Sequence, residues 1–301
     1  MNGKINNICQ IAYLRRYTFT SGVESGIKVI EINTGKIRIL LNESKTLDVM
    51  QVFSGNDNMS FVSKNGFTAR EIPFLNRFEG GMLYTCGLDV VGGEPSTLHG
   101  TLHNIPATVL QAEIINDDII VRAEMNFSAL FGDHLRLTRT VTTKIGSDSF
   151  NVHDNLENLG YFDSEYCLLY HMNVGYPMLD EGTEINVNID SIITRTDWAK
   201  QRLGDRAVFS APVDNEPERC YFINTTDGNT SVVNRKLGKK LEFSYSKDTL
   251  PYFIQWCSGG SGDYALGLEP STTFLDDQFK KSVIKKGEKI DFNLSFRITE
   301  I

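Results

Sequence analysis

Three histidines and one glutamate stand in sequence settings that favour acid–base chemistry. His99 and His103 share the stretch LHGTLHN, His171 interrupts the apolar run LLYHM, and Glu269 ends the run ALGLE. Imidazole changes charge near neutral pH, and a partly buried carboxylate can be tuned towards the same range. These side chains are therefore predicted to form one acid–base site, held by the rest of the chain.

Glu269 has the setting of a general base. The four residues before it read as a buried strand, and Pro270 is predicted to end the hydrogen-bond ladder of that strand directly after it. Burial without full compensation raises the pKa of a carboxyl group towards the range in which a general base works. The alternative is a structural glutamate held in a salt bridge.

His171 lies in the middle of an apolar strand, where a hydrogen-bonded core histidine is the common alternative to a functional one. Asn173 follows two positions later. Because side chains alternate between the faces of a strand, Asn173 shares a face with His171. Two polar side chains on one face favour a lined pocket over a dry core.

No cofactor or metal is predicted. Gly100 and Pro106 argue against a helix around His99 and His103, so these two are not a helical metal pair. A zinc site would need a third ligand, such as His171 or Glu269, and no recognised ligand spacing supports one. The glycine-rich stretch SGGSG before residue 263 lacks the Lys-Ser/Thr of a phosphate-binding loop and reads as a hairpin turn.

Arg77, preceded by Asn76, is predicted to present a guanidinium on a loop just ahead of a strand. The fork of donors on arginine can bridge two vicinal hydroxyls, although an ordinary salt bridge is the alternative. Trp256 and Tyr176 could stack on a sugar ring, or pack in the core as aromatics in β-rich chains usually do.

Composition bounds the class of protein and its partners. The chain has 301 residues, of which 41% are hydrophobic and 10% aromatic, and this is enough for a large core. Because no linker divides the sequence, one domain over residues 1–301 is predicted. A net charge of −8 disfavours binding to nucleic acid and to anionic membranes, so the expected partner is a small neutral molecule. A homodimer is an open alternative to a monomer. Five widely spaced cysteines predict free thiols, and the lack of long apolar runs favours a cytoplasmic location.

Hydrophobic alternation predicts an all-β, antiparallel sandwich or barrel of about eighteen short strands. Tight turns are predicted at 33–35, 116–118 and 286–288, and a loop at 92–95 is expected to form a wall of the site. No fixed-period repeat suggests a propeller. The clearest predicted strands are residues 27–32, 37–41, 47–53, 59–62, 82–88, 107–115, 119–127, 134–143, 149–154, 184–189, 241–245, 252–257, 264–268 and 290–298.

Four motifs in this order carry a resemblance to a known family. They are FEGGMLYTCGL at 78–88, LHG at 98–100 with NIPA at 104–107, YHMNVGYPMLDEG at 170–182, and GLEP at 267–270. Together with the preceding Asn-Arg pair, they resemble the aldose 1-epimerase (galactose mutarotase-like) superfamily, and most closely its uncharacterised branch known as a domain of unknown function. The resemblance covers nearly the whole chain.

The resemblance implies a β-supersandwich with a shallow sugar cleft and an isomerase that interconverts sugar anomers without a cofactor. It gives Glu269 the role of general base towards the anomeric hydroxyl and His171 that of general acid towards the ring oxygen. It implies that His99 and Arg77 bind sugar oxygens. A non-catalytic sugar-binding protein, and an epimerase or lyase that uses the same cleft, remain alternatives.

Further substrate-binding residues are expected from the resemblance and its neighbourhood: Asn76, His103, Asn173 and Asp180. Asp197 and Asp214 compete with Asp180 for the place of the aspartate that grips sugar hydroxyls in the characterised mutarotases. Residues 273–277 read TFLDD where relatives tend to carry a basic Gly-Arg element. This departure speaks against recognition of a phosphate or carboxylate there.

Overall fold

The computed structural model describes residues 3–70, 72–93 and 98–301. Within those ranges the chain forms eighteen strands and two short α-helices, α1 (Phe74–Arg77) and α2 (Asp197–Gln201). Short 3-10 helices span Ile8–Gln10, Leu102–Asn104, Leu203–Arg206 and Asp276–Gln278. The strands are β1 (Tyr13–Thr18), β2 (Lys28–Asn33), β3 (Ile37–Asn42), β4 (Asp48–Ser54), β5 (Asp57–Asn58), β6 (Tyr84–Leu88), β7 (Thr108–Ile115), β8 (Asp118–Ser128), β9 (His134–Lys144), β10 (Ser149–Asn158), β11 (Ser164–Val174), β12 (Glu184–Thr194), β13 (Arg219–Asn234), β14 (Lys239–Tyr245), β15 (Tyr252–Ser258), β16 (Ala265–Ser271), β17 (Ser282–Ile284) and β18 (Lys289–Glu300).

The strands form two antiparallel sheets, as the alternating pattern predicts. The smaller sheet holds β1 to β5 in sequence order. The larger follows the order β17-β11-β16-β15-β13-β14-β18-β10-β9-β8-β7, with β12 paired to β13 and β6 paired to β11. Side chains on one face of each sheet meet in a shared core that includes Leu41, Val121, Leu137 and Phe296, each fully buried.

Strict alternation in the sequence corresponds to strands with one buried face. In β9, every second residue from Leu135 to Thr143 is buried, while the residues between are half exposed. A strand with this pattern can bury its apolar side chains in only one register, because a shift by one residue would turn all of them to solvent. This explains why the predicted bounds of such strands agree closely with the structure.

The predicted turns at 33–35 and 116–118 each join two strands that pair antiparallel, whereas the turn at 286–288 links β17 to β18, which pair with other strands. Asn116 adopts a left-handed backbone with φ of 57°, and Gly287 one with φ of 74°. These conformations suit asparagine and glycine. Of the predicted loop at 92–95, Glu94 and Pro95 lie outside the described residues.

Two predictions about strands are wrong. Residues 59–62 contribute only isolated bridges at Ser60 and Val62, because the chain there leaves the small sheet and crosses to the larger one. β16 does not end at Glu269, since Pro270 pairs with Phe253 of β15. Proline offers no N–H, so it is tolerated where the ladder on its other side, towards β11, has a gap.

Among the described residues, no helix combines the length and the apolar character needed to cross a membrane.

Candidate active site

The site is built on the face of the larger sheet that looks away from the main core. The register pairs Met172 of β11 with Leu268 of β16, so His171 stands opposite Glu269 on neighbouring strands. The imidazole Nε2 lies 3.2 Å from the carboxyl Oε1. Both side chains are almost fully enclosed, with 6% and 2% of their surface exposed. The register between β11 and β16 therefore brings the two predicted acid–base residues into contact.

Burial acts on both groups in favour of their neutral forms. It lowers the pKa of His171 well below its usual value, and the nearby His99 pushes it the same way. It raises the pKa of the Glu269 carboxyl well above its usual value, as does the charge of Glu218, while Arg195 opposes the shift. Both shifts favour a state in which the pair holds one titratable proton, on the carboxyl, although Oε1 forms no hydrogen bond with the imidazole in this geometry.

Gly267 makes the close approach possible. A Cβ at this position would lie 2.5 Å from Oε1 of Glu269, 3.0 Å from Cε1 of His171 and 3.2 Å from the indole of Trp256. Gly267 pairs with Trp256 across β15 and β16, which sets the indole beside the acid–base pair. The imidazole and indole rings meet edge to face at 5.6 Å. Three functional side chains thus share a space that only glycine leaves free.

His99 reaches the pair from a loop between β6 and β7. Its ring centre lies 5.6 Å from that of His171. The backbone N–H of Gly92 donates to Nδ1 at 3.4 Å, so the ring proton belongs on Nε2. Burial lowers the pKa of His99 to about 4, with a smaller contribution from Arg195. At neutral pH His99 is therefore an uncharged hydrogen-bond donor.

A cleft of about 420 Å³ opens over these residues. Trp256 forms part of its wall, and the indole N–H donates to Oε2 of Glu218 at 2.7 Å. Arg195 and Glu218 line the cleft, and so do Lys64 and Asp263, which pair with each other at 2.8 Å. An aromatic wall with several charged and polar groups at its rim is typical of a site for a small polar ligand.

Two other predicted residues occupy a layer behind the cleft. Arg77, on α1, is buried and donates a hydrogen bond to the side chain of Asn104. His103 is fully buried against the ring of Tyr84 at 4.4 Å, and neither ring nitrogen has a hydrogen-bond partner. Burial lowers its pKa to about 2. Neither side chain is part of the described cleft lining.

The remaining predicted residues are spread more widely. Asn173 is buried and donates to the carbonyl oxygens of Gly81 and His171, so it holds the β11 backbone at the site. Asn76 is exposed on α1. Asp180 lies beyond the end of β11, where it faces Lys236 at 3.6 Å, and Tyr176 is 73% exposed. None of the four belongs to the described cleft lining.

The sequence patterns pointed to neither Arg195 nor Glu218 as a site residue. Both flank segments with weak alternation: Arg195 follows the irregular strand β12, and Glu218 precedes β13, which was not predicted. The backbone N–H of Arg195 donates to the carbonyl of Cys220 at 3.0 Å, which extends the pairing of β12 with β13 to the cleft. Only the long-range pairing of these strands brings the two charges to the site.

No group of three or more His, Cys, Asp or Glu side chains is arranged as a metal site within residues 3–70, 72–93 and 98–301.

Known proteins share the sequence pattern and the architecture of this chain. The family model described as "Domain of unknown function (DUF4432)" matches residues 24–297. No curated protein matches the chain.

Several solved structures share the fold. A candidate aldose 1-epimerase from Klebsiella pneumoniae subsp. pneumoniae superposes with a TM-score of 0.83 at 22% identity, covering 95% of this chain and 83% of that one. A galactose mutarotase-like protein from Clostridium acetobutylicum gives 0.73 at 14% identity, covering 97% and 100%. One from Lactobacillus casei gives 0.63 at 12%, covering 90% and 100%. At such identities the likeness shows the fold alone. The chain therefore belongs to the DUF4432 family and has the galactose mutarotase-like fold.

Proposed function

We propose that this protein interconverts the anomers of a sugar, as an aldose 1-epimerase does. The observation that carries the proposal is the contact of His171 Nε2 with Glu269 Oε1 at 3.2 Å on the floor of the cleft. Mutarotation needs one group that accepts a proton and one that donates a proton across a single carbon–oxygen unit. A buried pair that holds one titratable proton and lies within reach of proton transfer supplies both. The names of the structural relatives agree with this chemistry.

The reaction follows from the state of the pair. Transfer of the shared proton to His171 leaves an imidazolium beside the Glu269 carboxylate. The carboxylate then takes the proton of the anomeric hydroxyl, while the imidazolium protonates the ring oxygen. The bond between the anomeric carbon and the ring oxygen breaks, and the open aldehyde forms. Rotation about the adjacent carbon–carbon bond followed by the reverse steps gives the other anomer and restores the proton to the pair.

His99 and Trp256 would hold the sugar during these steps. The Nε2–H of His99, whose ring lies beside that of His171, is a neutral donor suited to the ring oxygen or a neighbouring hydroxyl. The indole of Trp256, fixed by its bond to Glu218, offers an apolar face to the C–H side of a pyranose. Neither contact requires a charge on the substrate.

Exchange NMR on freshly dissolved aldoses, ketoses and uronic acids in D₂O tests the proposal, with wild type beside Glu269→Gln and His171→Gln. We expect faster anomer exchange for at least one sugar and a fall of about 10²- to 10⁴-fold in each variant. Wild-type acceleration that survives Glu269→Gln would contradict the mechanism. Binding without acceleration would point to a sugar-binding protein, and deuterium at a carbon position would point to an epimerase or lyase.

A further inference from the structure

We propose that Asp276 makes the cleft selective for uncharged sugars by occupying the guanidinium of Arg195. The inference deepens the proposed function and depends on it for the identity of the ligand as a sugar. It concerns the charge of the substrate and names a specificity-determining residue outside the acid–base pair.

Arg195 lines the cleft and forms a bidentate pair with Asp276, whose neighbour Leu275 also lines it. Nε of Arg195 lies 2.5 Å from Oδ2 of Asp276, and Nη2 donates to Oδ1 at 2.8 Å. Nη1 faces Oε1 of Glu218 at 3.6 Å. This fork of donors is the arrangement that proteins use to recognise a carboxylate or phosphate. Here two carboxylates of the protein itself already occupy it.

Both partners lie at the ends of elements next to the cleft. Asp276 begins the 3-10 helix after β16 and has a left-handed backbone with φ of 56°, a conformation that aspartate adopts more readily than most residues. Its neighbour Leu275 is buried and lines the cleft. The partner Arg195 is anchored by its backbone bond to Cys220. The pair therefore links the ends of two elements that both bound the cleft.

The net charge at the rim also disfavours an anion. Among the described residues, the cations that line the cleft are Arg195 and Lys64, and each faces a carboxylate. Against these two positive charges stand Asp276, Glu218 and Asp263, which leaves one excess negative charge, since the His171–Glu269 pair is neutral as a whole. A sugar acid or sugar phosphate would have to displace a protein carboxylate and enter a negative field. A neutral sugar meets neither obstacle.

The pair is accessible enough to be tested by substitution. The side chains of Arg195 and Asp276 are 33% and 44% exposed, so a charged group on a ligand could approach the guanidinium if Asp276 were neutral. Asp277, the next residue, is exposed and makes no described contact with Arg195, which makes it a matched control on the same loop.

The experiment compares ligands of one shape and different charge: a neutral aldohexose, the corresponding hexuronic acid and the corresponding hexose 6-phosphate. Binding by calorimetry and anomer exchange by NMR are measured for wild type, Asp276→Asn, Asp277→Asn and the double variant Asp276→Asn/Arg195→Gln. We expect wild type to prefer the neutral sugar. Asp276→Asn should strengthen binding of both anions by about tenfold and leave neutral binding nearly unchanged. Asp277→Asn should behave as wild type. The double variant should bind the two anions no more strongly than wild type, because it lacks the guanidinium.

An unchanged preference in Asp276→Asn, or a wild type that already prefers an anion, would overturn the inference. Its failure is distinct from failure of the proposed function. Selective binding of neutral sugars without any acceleration would refute the mutarotase and keep the role of Asp276. Faster anomer exchange, together with a charge preference that Asp276→Asn does not change, would keep the mutarotase and refute the role of Asp276. Absence of binding by every sugar in the panel would overturn both.

Discussion

At the scale of single residues, burial shifts the pKa values of Glu269 and His171 in opposite directions. It raises the pKa of the carboxyl and lowers that of the imidazole. Addition of a second proton to the pair at low pH removes the base, and loss of the shared proton at high pH removes the acid. Between these limits the pair holds the one proton that the proposed reaction uses.

Activity should therefore follow a bell-shaped pH profile. Because the pKa of His171 is lowered, the acid limb should lie below pH 6.5, the usual imidazole value. Because the pKa of Glu269 is raised, the alkaline limb should lie above the usual value of 4.5. The profile of kcat/KM for anomer exchange measures both limbs. An acid limb above 6.5 would contradict a buried, neutral imidazole in the free protein.

Gly267 offers a steric test of the same pair. Gly267→Ala places a methyl group 2.5 Å from Oε1 of Glu269 and 3.0 Å from the ring of His171, so one of them must move. Activity should fall by about 10²-fold or more, because misplacement of a catalytic group by about 1 Å has that effect. Gly204→Ala is the control, since nothing lies within 4 Å of a Cβ there. Equal activity of the two variants would show that the site tolerates the methyl group.

At the scale of secondary-structure elements, the predictable strands are those with one face in the core and one in solvent. β9 shows this alternation from end to end. β13 does not, because its middle is partly exposed and rich in Thr, Asn, Asp and Gly, while its two halves pair with different neighbours on one side. Its partner β12 carries register shifts around Ile189, which break the period that prediction relies on.

The same distinction applies to the site. His171 and Glu269 stand out in the sequence because each is a polar residue in an apolar run, and His99 stands out because a glycine follows it. The structure brings these three side chains together. Arg195 and Asp276 are 81 positions apart and look like ordinary surface charges. Their pairing exists only in the tertiary structure, so local patterns could not reveal it.

The 3-10 helix Leu102–Asn104 contains a histidine whose burial should destabilise the protein in acid. The pKa of His103 is about 2 in the folded chain and 6.5 as the ordinary value, so below pH 6.5 the unfolded chain binds a proton that the folded chain refuses. Stability is therefore lost as pH falls below 6.5. His103→Phe removes this effect and breaks no hydrogen bond, since both ring nitrogens lack partners.

Urea unfolding at pH 7.5 and pH 5.5 measures the effect. On going to the lower pH, the free energy of unfolding of His103→Phe should gain about 1.4 kcal/mol relative to wild type. The other buried histidines are present in both proteins, so their contributions cancel in the comparison. A variant and a wild type that lose stability in parallel would show that the folded protein accepts the proton on His103.

At the scale of the whole molecule, one buried arginine joins the two sheets. Arg139 of β9 is fully buried and contacts Asp154 of β10 at 2.7 Å and Asp48 of the small sheet at 2.6 Å. It also donates to the hydroxyl of Thr85 on β6 at 2.9 Å. Tyr170, which precedes His171, donates to the same Asp154 at 2.7 Å. The network thus fixes the strand that carries the imidazole.

Removal of the cation should be costly, because two buried carboxylates would lose their cationic partner and keep only neutral donors, such as the hydroxyls of Thr85 and Tyr170. We expect Arg139→Met to lower the free energy of unfolding by about 3–5 kcal/mol, the usual result of breaking a buried ion pair from one side. Arg136→Met on the same strand is the control: its side chain is 30% exposed, and its pair with Glu157 should contribute about 1 kcal/mol or less. Urea unfolding of both variants at neutral pH measures the difference. Similar losses would mean that the buried network contributes no more than a surface pair, and that apolar packing alone holds the two sheets together.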